Sequence, residues 1–127
     1  MKQGGQSNWE TDLEGIAAEL AFCKLANVYP DMETASMNPH DCHTRTGAAI
    51  DVKSTKYPHG RLLAVRWKDA SKVDLFALMV GAFPEYRLAG FMRAKDLIQA
   101  DRLMDLGHGL SYAADQSDLI PPDDVIF

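Results

Sequence analysis

The order of hydrophobic segments along the 127-residue chain predicts an α/β fold, with one mixed central β-sheet flanked by α-helices. Three observations lead to this prediction. Apolar residues recur at helical spacing near the N-terminus, and short alternating segments separated by turn residues follow. A near-continuous apolar run at 73–80 then has the pattern of a central strand that is buried on both faces.

The first helix is expected from about Trp9 to Ala26, with Asn8 or Thr11 as its N-cap. Its buried stripe is expected to consist of four apolar residues at helical spacing. These are Leu13, Ile16, Ala17 and Leu20.

Strands are expected at about 41–45, 48–54, 61–67, 73–80 and 86–92. A second helix is expected over 94–106, where Gly107 stops it. We therefore expect a single domain over residues 1–127, with a core at about 9–106 and a C-terminal extension at 107–127.

Composition excludes several classes of protein. Hydrophobic residues at 46% and charged residues at 24% are ordinary globular values, which excludes a mostly disordered chain. The longest apolar run has nine residues, whereas a membrane-spanning helix needs about 20, so we expect no membrane contact. Two cysteines without a C-x-x-C motif and an N-terminus without a signal-peptide pattern favour a cytoplasmic protein.

Charge is distributed unevenly along the chain. The net charge is −5, but residues 51–72 carry six Lys/Arg against two Asp/Glu. This pattern disfavours binding of nucleic acid by bulk attraction and leaves one basic stretch in an acidic protein. The stretch is either a solvated surface hairpin or a local contact for phosphate groups.

The segment Ile50-Asp51-Val52-Lys53 carries the most informative pattern. On a strand, Asp51 and Lys53 share one face while Ile50 and Val52 share the other. An isolated Asp-x-Lys pair is usually an exposed ion pair. It gains weight here because an antiparallel hairpin would bring Asp41 next to Asp51.

Glu19 is a further acidic candidate, because it lies among small side chains that would let its helix approach a sheet. A solvent-facing Glu19 is the alternative.

These features together resemble the PD-(D/E)XK nuclease superfamily. The resemblance covers about residues 9–100 and rests on the Gly-x-x-x-Glu helix at 15–19, on Asp41, on the Ile-Asp-Val-Lys-Ser-Thr strand at 50–55 and on the strands that follow. It implies a restriction-endonuclease-like core. The residue before Asp41 is His40 rather than proline, so Asp31 stays open as an alternative first carboxylate.

The resemblance implies a metal-dependent DNA endonuclease of phage or mobile-element type. Alternatives are a Holliday-junction resolvase and a catalytically inactive nucleic-acid-binding module with the same fold. Asp41, Asp51 and the Val52 carbonyl would hold Mg²⁺ or Mn²⁺, Glu19 would complete the outer coordination, and Lys53 would lie against the attacking water. Four basic residues would contact flanking phosphates. These are Lys56, Arg61, Arg66 and Lys68.

Two further expectations concern aromatic and apolar residues. Trp67, between Arg66 and Lys68, is either a rim residue or a stacking surface for a nucleotide. Cutting two strands needs two sites, so a homodimer is expected, with Leu97, Met104, Leu106 and the tail 125–127 as candidate surfaces unless they cover the protein's own sheet.

Overall fold

The computed structural model describes residues 4–26, 41–43, 47–68, 70–107 and 109–124. Within them the chain forms two helices, α1 (Gly4–Ala26) and α2 (Ala94–Leu97), in a mixed α/β fold. The strands are β1 (Asp41–His43), β2 (Ala49–Thr55), β3 (Leu62–Val65), β4 (Leu75–Ala82), β5 (Glu85–Arg93), β6 (Leu103–Asp105) and β7 (Leu110–Ala114).

The described strands form two sheets rather than the one that the sequence pattern predicts. The larger sheet has the order β1-β2-β4-β5 and is mixed, because β2 pairs antiparallel with β1 and parallel with β4. The smaller sheet has the order β3-β7-β6 and is antiparallel. α1 packs on one face of the larger sheet, and the smaller sheet packs on the other face together with α2, whose Ala94 and Leu97 are buried there. The larger sheet thus has a helix on each face, as predicted, but a second sheet that was not predicted covers much of one face.

The two faces of the larger sheet are packed differently. On the helix face, Ile50, Val52 and Met79 pack with Phe22 of α1 in one buried cluster. On the opposite face, called here the strand face, Phe76, Leu78, Val80 and Met92 pack with residues of the smaller sheet in a second cluster. Alternation along β2 and β4 produces this division, because successive side chains of a strand point to opposite faces.

The buried side of α1 is not the predicted one. Leu13, Ile16 and Leu20 are exposed, whereas Ala18 and Phe22 are buried against the sheet. Apolar residues occupy two sides of this helix, so helical spacing alone did not identify the packed side. A small residue at 18 allows a close approach to the sheet, and the Phe22 ring packs edge-on against Phe91 at 5.8 Å between centroids.

The C-terminal third also departs from expectation. The helix predicted over 94–106 ends at Leu97, and residues 103–105 form the edge strand β6. The segment predicted as an extension contributes β7, the middle strand of the smaller sheet. Leu97 is fully buried in the core, which excludes it from a dimer surface, and residues 125–127 lie outside the described residues.

The described helices include none with both the length and the apolar character needed to cross a membrane.

Candidate functional site

The Asp-x-Lys strand has the geometry that alternation predicts. Asp51 and Lys53 lie on the strand face of β2, and Lys53 Nζ is 3.4 Å from Asp51 Oδ1. Asp51 is only 3% exposed, while the Lys53 side chain is 38% exposed. The pair therefore joins a buried carboxylate to an ammonium group that reaches solvent.

A second ammonium group contacts the same carboxylate. Lys68 Nζ lies 2.7 Å from Asp51 Oδ2, and it also lies over the Phe76 ring at 6.0 Å from the centroid. We predicted Lys68 as a phosphate contact on the surface, but the structure places it at Asp51. The sequence carried no local signal for this contact, because β3, which leads to Lys68, belongs to the smaller sheet.

The two lysines explain how Asp51 can be buried. An unpaired carboxylate in an apolar interior costs several kcal/mol, whereas contacts with two cations compensate much of that cost. Each oxygen of Asp51 has one ammonium partner in the structure. A ligand that approaches Asp51 must therefore compete with a lysine or extend the cluster.

Asp41 occupies the predicted place on the hairpin. In the antiparallel pair of β1 and β2, Asp41 is the direct register partner of Asp51. Direct partners in an antiparallel ladder lie on the same face of a sheet, so the positions of Asp41 and Asp51 share the strand face. The Asp41 side chain and all of Asp31 lie outside the described residues.

Glu19 lies on the other side of the sheet. It is 2% exposed, so the alternative of a solvent-facing Glu19 is wrong. Its carboxylate belongs to a buried group with the thiols of Cys23 and Cys42, in which one ligand atom of each residue lies within 4.8 Å of the others. Cys42 belongs to the cluster on the helix face, so the structure separates Glu19 from the face that carries Asp51 and Lys53.

The thiols beside Glu19 interact with each other. A hydrogen bond with Cys42 lowers the pKa of Cys23, although burial and the charge of Glu19 act in the opposite direction. Thiolates are soft ligands, whereas Mg²⁺ prefers oxygen ligands. The Glu19 group therefore does not fit Mg²⁺, and the carboxylate positions 41 and 51 fit it better.

A cleft of about 700 Å³ opens beside Lys53. Its wall includes Thr55, Tyr57, Arg61 and Leu63, from the end of β2, the following turn and the start of β3. Through this cleft a ligand can reach Lys53, whereas Asp51 is buried.

The other predicted phosphate contacts differ in position and in partners, and among them Arg61 lines the cleft. Arg61 Nε is 2.9 Å from Asp115 Oδ1 in an exposed ion pair, and Lys56 Nζ lies 5.5 Å from the centre of the Tyr57 ring. Arg66 is exposed in the turn after β3. Exposed ion pairs contribute little to stability, so Arg61 can exchange Asp115 for a phosphate at low cost.

Comparisons of the chain with protein-family models, with curated proteins and with solved structures find no match.

Proposed function

We propose that this protein hydrolyses phosphodiester bonds in DNA as a metal-dependent endonuclease with a restriction-endonuclease-like core. The observation that carries the proposal is the pairing of a buried Asp51 with Lys53 on one face of β2, at the edge of a cleft that Arg61 also lines. The register of Asp41 opposite Asp51 supports it, because two carboxylates at one place are the donor set of a hard divalent cation.

Each residue of the proposed site has a distinct task. Asp41, Asp51 and the Val52 carbonyl would hold Mg²⁺ or Mn²⁺, which supplies charge stabilisation and a water of lowered pKa when bound. Lys53 orients the attacking water and stabilises the negative charge that develops on the scissile phosphate. Lys68 neutralises Asp51 when the protein is free and limits how far that carboxylate can move.

Glu19 is left out of the proposed metal centre. It lies on the helix face beside two thiols, whereas the ligands of the proposal lie on the strand face. We propose that Glu19 acts in the packing of α1 against β1. The proposed centre therefore contains Asp41, Asp51 and Lys53 but not Glu19, the fourth residue that the family resemblance implies.

DNA approaches along the cleft beside Lys53 in this proposal. Arg61, Arg66 and Lys56 contact phosphates on either side of the cut, and the acidic remainder of the chain confines binding to this region. Hydrolysis of both strands requires two such sites, which a homodimer supplies. Light scattering at micromolar concentration tests the dimer: a mass of 14.0 kDa would leave a monomer that nicks single strands.

Cleavage assays test the activity directly. We expect the purified protein to convert supercoiled plasmid to open-circular or linear forms with Mg²⁺ or Mn²⁺ and to lose this activity in EDTA. A four-way junction and a single-stranded oligonucleotide in parallel reactions distinguish a junction resolvase from a nuclease for linear substrates. Absence of cleavage of every substrate with either metal would contradict the proposal.

One observation favours the alternative of a nucleic-acid-binding module without catalysis. Both oxygens of Asp51 already have ammonium partners, an arrangement that satisfies the carboxylate without a metal. Thermal melting discriminates the two functions. A metal site predicts that Mn²⁺ raises the melting temperature of the wild type, whereas a silent module predicts no change.

A further inference from the structure

Two large aromatic side chains are exposed to solvent, one near each end of β3. Tyr57 is 64% exposed in the turn before the strand, and Trp67 is 75% exposed in the turn after it. Neither ring contributes to the clusters that stabilise the core. Core packing therefore does not explain why these two aromatic residues lie near the candidate site.

The turn that carries Tyr57 is fixed by hydrogen bonds from distant residues. Arg87 Nη2 and Gln116 Nε2 each donate to Pro58 O at 2.9 Å, and Gln116 Nε2 also donates to Gly60 O at 2.9 Å. A side chain at Gly60 would collide with Thr55, since an added Cβ would lie 2.2 Å from its Oγ1. The turn is thus held against the end of β2, which keeps the Tyr57 ring at the mouth of the cleft.

The turn that carries Trp67 is tied to the proposed site. Lys68 N donates to Val65 O at 3.0 Å to close the turn, and Lys68 Nζ contacts Asp51 at 2.7 Å. The residue after Trp67 is therefore a member of the Asp51 cluster. These contacts anchor the turn that carries Trp67 to Asp51, whereas the turn that carries Tyr57 lies against Thr55 at the other end of β2.

Spacing and charge together identify the kind of ligand. The four residues of β3 separate the two turns, which is about 13 Å at about 3.3 Å per residue, and Lys53 lies between them on β2. Each aromatic has a cationic neighbour: Lys56 lies over the Tyr57 ring, and Arg66 precedes Trp67. Aromatic faces that alternate with cations bind the bases and phosphates of an unpaired strand.

We propose that Tyr57 and Trp67 stack on bases of single-stranded DNA and that the preferred substrate contains unpaired nucleotides. This inference rests on the proposed function, whose substrate class it specifies. Base faces in a duplex are covered by their neighbours, so two exposed rings at this spacing gain contacts only with a strand whose bases are free. Lys53 then lies beside the backbone of the strand that the two rings hold.

Binding in EDTA tests the inference apart from cleavage. Fluorescence anisotropy measures the affinity of the full chain for a labelled 12-nucleotide oligothymidylate and for a 12-base-pair duplex. We expect tighter binding of the oligothymidylate, and we expect Trp67→Ala and Tyr57→Ala each to weaken it about tenfold, as loss of one stacked base predicts. Phe83→Ala is the matched control, because Phe83 is 71% exposed in the β4–β5 turn beside Glu14 of α1 and should leave the affinity unchanged.

Tryptophan fluorescence gives a direct readout. The chain contains two tryptophans, so Trp9→Phe leaves Trp67 as the single emitter. Oligothymidylate should quench that emission at the concentrations that saturate anisotropy.

The inference is overturned if the duplex binds more tightly, if Trp67→Ala and Tyr57→Ala bind like the wild type, or if Phe83→Ala is weakened equally. Aromatic-dependent binding without cleavage in any metal would support the stacking surface and contradict the nuclease. Duplex cleavage by a fully active Trp67→Ala variant would do the reverse.

Discussion

The helix face and the strand face of the larger sheet each bury one carboxylate, and the two carboxylates have opposite surroundings. Glu19, 2% exposed, lies with two thiols beneath α1, whereas Asp51, 3% exposed, lies between two ammonium groups beside an open cleft. Burial by itself therefore does not mark the site. The two carboxylates differ instead in their charge partners and in their access to solvent, and the proposed function assigns chemistry to Asp51 alone.

The largest expected effect comes from Asp51→Asn. We expect the cleavage rate to fall at least about 100-fold, because the proposed metal loses a charged ligand. We also expect a loss of about 2 kcal/mol in the free energy of unfolding, since Lys53 and Lys68 lose their shared partner. Plasmid cleavage and urea denaturation measure the two effects. Asp96→Asn, at an exposed position of α2, is the control, and full activity of the Asp51 variant would contradict the proposal.

Lys53→Ala tests the proposed role of Lys53 in stabilising the transition state. We expect the turnover rate to fall about 100-fold, the scale of one positioned group that stabilises a transition state. The metal-induced rise in melting temperature should persist, since Lys53 is not a ligand. Lys53→Arg should rescue poorly because a planar guanidinium places its charge differently. Lys56→Ala is the matched control, and equal loss in both variants would reduce Lys53 to a general phosphate contact.

Lys68→Ala separates a counter-ion from a phosphate contact. We expect a loss of about 2 kcal/mol in the free energy of unfolding, because half of the compensation of Asp51 disappears. The rise in melting temperature caused by Mn²⁺ should exceed that of the wild type, since no ammonium competes at Asp51 Oδ2. Differential scanning fluorimetry with and without Mn²⁺ measures both. A normal melting temperature together with weakened DNA binding would instead support Lys68 as the phosphate contact that the sequence predicts.

Glu19→Gln gives the sharpest contrast between the faces. We expect the cleavage rate and its metal dependence to match those of the wild type, because Glu19 belongs to the thiol group of the helix face. Thermal melting reports any change in the packing of α1. A variant that folds normally but cleaves as slowly as Asp51→Asn would place Glu19 in the metal centre after all.

Stability at alkaline pH depends on a contact of Tyr86 on the helix face of the larger sheet. Burial, together with a hydrogen bond from the Tyr86 hydroxyl to Glu14, raises the pKa of Tyr86 well above its ordinary value. Because the pKa in the folded state exceeds that of the unfolded chain, this contribution to stability is complete below about pH 10 and is lost as pH rises further. Tyr86→Phe should cost about 1.5 kcal/mol at pH 7, and the difference should shrink above pH 10 in urea titrations. A difference that is constant with pH would contradict this origin.

Alternation along single strands made part of the site predictable. The shared face of Asp51 and Lys53 and the approach of Asp41 across a short turn depend on local periodicity, and the structure confirms both. Lys68 was not predictable in the same way, because its contact with Asp51 depends on how far the chain returns after β3. The position of Glu19 was not predictable either, because it depends on which side of α1 packs against the larger sheet.

The order of hydrophobic segments predicted the α/β class, and spacing within a few residues predicted the buried strand β4 and the hairpin that pairs Asp41 with Asp51. Only the tertiary structure decided that residues 103–105 form an edge strand and that β7 becomes the centre of a second sheet. Strands that pair can lie far apart in the chain. The residue pattern of one strand therefore does not identify the strand with which it pairs. The packed side of α1 was likewise settled by contacts with the sheet: because Ala18 and Phe22 pack there rather than Leu13 and Ile16, Glu19 lies next to the two thiols.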